Sequence, residues 1–170
     1  VEPQSGGLEN VPVVDSDPTN GICDALQDIK RHGFISVGYI SGPIVASPSL
    51  QEREQVFRNV ASKMFGENNV FVESTGFDQS SCVNVVNRMR NSGVKALIVG
   101  YSPDALRVMN VMAREGLVIG KDMSLISFDD VEVFRLATPH ISVISQQVQI
   151  IGRTSAELFL DMLENNSEVK

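Results

Sequence analysis

Positive charge is scarce in this chain. Lys and Arg number 14 against 21 Asp and Glu, so the formal net charge is −7. Sequence-independent affinity for nucleic acid comes from clustered Lys and Arg. The densest basic run, Lys30-Arg31-His32, has the look of a helix C-terminus complementing its dipole. This balance argues against a direct grip on a phosphate backbone, and any role at DNA needs a DNA-reading part outside this chain. Cysteine is scarcer still. Cys23 and Cys82 fall on predicted helices among apolar residues, and read as reduced core thiols rather than as a disulfide or metal site. With His32 and His140 as the only histidines, no zinc-type spacing can be assembled, and no cofactor is expected. No apolar run approaches the ~18 residues of a membrane span, so no membrane partner is expected. No signal-peptide pattern is visible either.

Catalytic signatures are missing in the same way. His140 completes a Ser-His-Asp triad on paper, but no nucleophile-elbow pattern surrounds any serine. Ser41-Gly42-Pro43 offers one glycine, and a proline where a phosphate loop needs backbone donors. An enzyme is not expected. What the 170 residues do hold is 42% apolar composition, enough for one ordinary domain or two small lobes.

After a polar stretch from Val1 to Asn10, short apolar runs alternate with helical patterns. Val11–Val14 reads as a strand, and Asp15–Gly21 is dense in turn and cap formers. A helix to about His32 closes at Gly33, with Asn20 placed either to cap it or to touch a ligand. Strands at Ile35–Ser41, Val70–Glu73, Ala96–Val99, Ser124–Phe128 and Ile141–Ser145 alternate with helices over Pro48–Phe65, Asp78–Arg90, Pro103–Glu115 and Gln146–Leu163. Asp130–Pro139 reads as a loop. This alternation predicts an α/β fold: a parallel sheet with helices on both faces. Ser124-Leu-Ile-Ser-Phe-Asp-Asp130 is its most telling piece, a buried strand ending in two carboxylates. Ligands of open parallel sheets bind outside the carboxyl ends of the strands.

Gly42-Pro43 and Asp130–Pro139 are the places where the chain could cross between lobes. They divide it into residues 1–43 (remnant of a first lobe), 44–145 (second lobe) and 146–170 (a helix returning to the first). A first lobe of two strands is too small for an independent layer, so sequence upstream of Val1 is expected.

The order Asn20-Gly21, Gly33-Phe34, Val37-Gly-Tyr-Ile-Ser-Gly-Pro43, Arg53 and Phe57, Ala96-Leu-Ile-Val-Gly100, Gly116 through Asp130, and Pro139, Gln146, Ile151-Gly152 resembles the LacI/GalR family of bacterial transcriptional repressors. The resemblance runs from Val11 to about Leu163, and the block Gly116–Asp130 is its most specific part. It implies a two-lobed, periplasmic-binding-protein-like effector domain, an incomplete first lobe, a homodimer, and operator DNA contacted through a headpiece absent from this chain. The implied setting is cytoplasmic. Departures from the family pattern are Phe34 for a His, Val56 for a Gly, His140 for a Pro, and Tyr101-Ser102 for Asn-Asp. The last pair keeps effector identity from carrying over.

By the same resemblance, five residues are candidate ligand contacts. Arg53 offers a rigid fork of donors, unless it is a solvated partner of Glu52 or Glu54. Phe77 offers an aromatic face, or caps the core of the following helix. Asp129 accepts ligand hydroxyls, pairs with Arg53, or holds the crossover loop, and Asp130 reads as structural. Gln146 both donates and accepts, or braces its loop. Tyr101 stands at a strand end, in contact with ligand or half-buried at the lobe edge. The implied effector is a small polar metabolite, a sugar before a nucleoside. The rival expectation is an extracytoplasmic sugar-binding protein of an uptake system.

Overall fold

In the computed structural model, which describes residues 13–42, 47–76 and 78–165, short strands alternate with helices. Helix α1 (Thr19–Arg31) leads to β1 (Val37–Ser41), α2 (Pro48–Phe65), a 3₁₀ turn at Glu67–Asn69 and β2 (Val70–Ser74). Then come α3 (Gln79–Asn91), β3 (Ala96–Val99), α4 (Ser102–Arg114), β4 (Ser124–Phe128), α5 (Glu132–Leu136), β5 (Ser142–Ile144) and α6 (Val148–Asn165). The five strands form one parallel sheet in the order β2-β1-β3-β4-β5.

Strand periodicity sorts the core into two layers. Tyr39, Ile98, Ile126 and Phe128 pack under Ile22 and Leu26 of α1 and Phe57 and Ala61 of α2. Their neighbours Ile40, Leu97, Val99 and Leu125 belong to the other layer, with Val85, Val86 and Met89 of α3 and Val108 and Met112 of α4. Handedness explains the division. The chain steps one way from β1 to β2 and the opposite way at each later crossover, so right-handed connections put α2 on one face and α3, α4 and α5 on the other. A strand covered on both faces has to be apolar throughout, as Ala96-Leu-Ile-Val99 is.

The chain divides into two compact units: Pro18–Ser145, which holds the whole sheet, and a second comprising Val1–Asp17 with Gln146–Lys170. Strand β1 pairs with β2 on one side and β3 on the other, and α1 packs on the same sheet, so both lie in the larger unit. In the second unit, α6 leaves Val148, Ile150, Phe159, Leu160 and Leu163 exposed.

Three local expectations change. Val13 and Val14 carry no strand, and Val11 and Pro12 lie outside the described residues. Residues Glu132–Leu136 form α5 where a loop was expected, because Phe134 is fully buried in the core and Arg135 grips Asp130 through both carboxylate oxygens. Asn20 does not cap α1: the helix starts at Thr19, with Pro18 in the cap position two residues before Asn20.

One core contact is unusually tight. Tyr39 is fully buried, stacked on Phe57 with ring centroids 4.7 Å apart, and its hydroxyl has no hydrogen-bond partner among the described residues. Burial pushes its pKa well up. A Cβ on Gly100 would stand 2.0 Å from that hydroxyl oxygen. Gly100→Ala should therefore cost about 1–3 kcal/mol through overpacking. Tyr39→Phe should cost nothing or stabilise, since it removes a buried hydroxyl left unpaired. Urea unfolding of the two variants checks both, and a clear loss in Tyr39→Phe would reveal a hydroxyl partner.

Candidate functional site

Because all five strands are parallel, their carboxyl ends share one edge of the sheet. The strand order marks a crevice on it. The connection after β1 departs toward β2 and that after β3 toward β4, in opposite directions, and ligand sites of doubly wound sheets open where such connections part. At this edge β1 ends in Ser41-Gly42, β3 in Gly100-Tyr101 and β4 in Asp129.

Arg53 reaches the edge from α2. The inward row of that helix is Leu50, Arg53, Phe57 and Ala61, so an arginine occupies a core-facing position and is only 8% exposed. Its Nη1 donates to the Gly100 carbonyl at 2.8 Å, and its guanidinium lies 4.5 Å from the centre of the Phe128 ring. Gly100 in turn donates its amide to Ile40 O at 2.9 Å. Arg53 is thus pinned between the ends of β3 and β4. The alternative of a solvated partner to Glu54 is not realised, since Glu54 accepts from Arg58 at 2.9 Å.

Asp129 takes up the left-handed conformation, φ 67°, directly after β4. That conformation is uncommon outside glycine, and two contacts accompany it here. The Asp129 amide donates to Ile144 O at 3.0 Å, and its Oδ2 accepts from the Ser102 hydroxyl at 3.2 Å. Tyr101, half-buried, offers its carbonyl to the amides of Asp104 and Ala105 at the start of α4. A Cβ on Gly42 would meet Tyr101 Cβ at 2.8 Å, so the residue after β1 is fitted to Tyr101. Asp130 is exposed, and the hydrogen bonds from Arg135 hold its carboxyl below the usual range.

Arg53, Tyr101 and Asp129 therefore stand on one edge of one unit, with Ser102 tied to Asp129. Gln146 belongs to the second unit, where its Oε1 accepts from the Ser16 hydroxyl at 3.1 Å. Phe77 lies outside the described residues. A cavity of about 80 Å³ lined by Arg90, Val94, Leu117 and Met123 flanks the residues that precede β3 and β4, at the opposite edge.

Sequence reading missed Asp104. It is fully buried at the start of α4, accepting from Thr75 Oγ1 and from Arg107, with Cys82 Sγ 3.9 Å away. Thr75 also donates its amide to Ser41 O at 3.1 Å, so one carboxylate ties the end of β2 to that of β1 and to α4. An acidic residue in a helix's first turn ordinarily reads as dipole compensation; the i, i+3 spacing to Arg107 was the available hint. Chemically, the edge presents a cationic fork, a carboxylate, a hydroxyl and a phenol. That set suits holding a polar ligand by hydrogen bonds.

A family model for the periplasmic binding protein-like domain matches residues 26–170. The lactose operon repressor of Escherichia coli strain K12 is 25% identical, over 93% of this chain and 48% of its own length. A probable LacI family transcriptional regulator from Corynebacterium glutamicum shares the structure with a TM-score of 0.77 at 28% identity, over 86% of this chain and 56% of that one. A LacI family regulator from Enterococcus faecium, solved with bound ribose, has the same fold: TM-score 0.77 at 18% identity, over 90% of this chain and 57% of that one. The chain spans about half the length of the curated relatives it matches. Among the described residues no helix is long and apolar enough to cross a membrane.

Removing the Asp104 carboxylate strands Thr75 and Arg107, so Asp104→Ala should lower stability by about 2–4 kcal/mol, less than for a fully buried pair because Arg107 is partly exposed. Chemical denaturation measures it. Burial, reinforced by the Asp104 charge, pushes the Cys82 thiol from its ordinary 9.0 up to about 11. The unfolded thiol then ionises first. Its contribution to stability is complete below pH 9 and lost between about pH 9 and 11. Cys82→Ala should flatten the pH dependence of the unfolding midpoint across that window.

Proposed function

The chain belongs to the periplasmic binding protein-like domain family, and on that footing we propose that it is the ligand-sensing region of a LacI/GalR-type transcriptional repressor. The effector is a small polar metabolite, a sugar in the first place. The observation that carries this reading is the set Arg53, Tyr101, Ser102 and Asp129 beside the crevice between β1 and β3. A guanidinium donates to ring or hydroxyl oxygens, a carboxylate accepts from hydroxyls, and a hydroxyl and a phenol do either. A polyol is the ligand class that uses both kinds of group at once. The ribose held by the Enterococcus faecium neighbour supports the same class.

Phe77 and Gln146 complete the proposed contact set, Phe77 as an aromatic face for the ligand and Gln146 as a polar contact. In mechanism, the effector acts by binding one arrangement of the sensing region better than another. Differential affinity is what moves such an equilibrium. Couplings of about 1–3 kcal/mol change affinity at the second site by roughly 5- to 150-fold. That second site is operator DNA, contacted in the cytoplasm through a headpiece that is no part of these 170 residues. In a homodimer, the spacing of paired headpieces must match the half-site spacing, so a modest rearrangement is enough to weaken the complex. The proposed role is binding and involves no catalysis.

Asp129→Ala in the full-length protein should abolish the effect of a bound sugar on operator affinity, measured by fluorescence anisotropy, while light scattering still reports a dimer. Unchanged sugar affinity in that variant would remove Asp129 from the site. A signal peptide encoded upstream, in place of a helix-turn-helix, would instead favour an uptake protein.

A further inference from the structure

Helix α4 meets the carboxyl edge with its first turn, and that turn is tied from both sides. On one side the Ser102 hydroxyl donates to Asp129 at the end of β4. On the other, Asp104 accepts from the Thr75 hydroxyl at the end of β2. Thr75 carries the tie on to β1 by donating its amide to Ser41 O at 3.1 Å. Between the two ties, the Tyr101 carbonyl accepts from the amides of Asp104 and Ala105 at 3.0 and 3.1 Å. Tyr101 also lies against the end of β1, since a Cβ on Gly42 would meet its Cγ at 3.0 Å.

The anchor of this arrangement sits in the core. Asp104 shares the inward row of α4 with Ala105, Val108, Val111 and Met112, and Thr75 is only 5% exposed. An apolar side chain at 104 would fill the same space without desolvating a charge. A buried ion pair is a weak source of stability, and its best-attested use is to single out one arrangement of the elements it joins. A hydrogen bond is suited to that because it holds only near one distance and one angle, whereas apolar packing tolerates sliding.

We propose that Thr75 and Asp104 form a clasp across the crevice between β1 and β3. They are positioning residues: they act through Tyr101 and Ser102, fixing the first turn of α4 at the distance from β1 where a sugar meets both. This deepens the sugar reading above and rests on it. Binding groups have to stand within about 0.5 Å of their productive places. Without the clasp the first turn of α4 shifts against β1, and affinity falls although the fold persists.

The test is calorimetric titration of the full-length protein and its variants with D-ribose, D-glucose and D-galactose, at a temperature where denaturation shows every variant folded. Thr75→Val keeps the shape and removes the hydroxyl, and should weaken the sugar that the parent protein binds by roughly 5- to 30-fold. Thr75→Ala removes the same hydroxyl should the valine variant fail to fold. Thr75→Ser keeps the hydroxyl and should stay within about threefold of the parent. Met112→Ala, at the far end of α4, loses stability by opening a cavity and should leave affinity unchanged. Undiminished affinity in the variants lacking the hydroxyl would overturn the clasp and leave the sugar reading standing. An equal loss in Met112→Ala would do the same, by tracing the effect to stability alone. Binding of none of the three sugars by the parent protein would overturn both.

Discussion

Parallel pairing of β1 with β2 on one side and β3 on the other sets the direction of every connection in the larger unit. From it follow the two helical layers, the burial of both sheet faces and the gathering of all five carboxyl ends at one edge. The crevice between β1 and β3 is a consequence of strand order, not of any residue that lines it. Residues come second. Arg53 is placed there because α2, returning from β1, carries an arginine in its inward row, and Asp129 because β4 ends beside β3.

A polar edge on an apolar unit has to be braced, and the bracing is mostly backbone-directed. Gly100 accepts from Arg53 while donating to Ile40, and Ser41 O accepts from both the amide and the hydroxyl of Thr75. Asp104 closes the set by taking Thr75 and Arg107 together. Each of these bonds is worth only about 1 kcal/mol net, but an unmade one at a buried position costs more. The edge therefore holds its shape through satisfied polar groups, with the buried Arg53 held to it by the Gly100 carbonyl and the Phe128 ring.

How far the site could be read from the chain differs residue by residue. Arg53 was readable as polar and one turn before Phe57, but its inward position and its tie to Gly100 belong to the packed helix. Asp129 was readable as a strand-end carboxylate, and its left-handed backbone was not, since that depends on Ile144 and Ser102 lying close in space. Asp104 was not singled out at all: nothing local distinguishes a solvated first-turn acid from one buried against Thr75. The five-residue helix α5 escaped because periodicity cannot register in so short a segment.

Local pattern alone determined the α/β class, the order of the elements and the bounds of α2, β3 and β4, because short apolar runs and helical spacing are properties of neighbours in the chain. Tertiary structure decided where the compact unit begins. Strand β1 looks the same in sequence whether it edges one lobe or stands inside the sheet of another, and only its pairing with both β2 and β3 settles the matter. The same holds for charge. The sequence counts an arginine among 14 basic residues, whereas the fold leaves that one buried, pinned by neutral groups and facing the edge where a ligand would arrive.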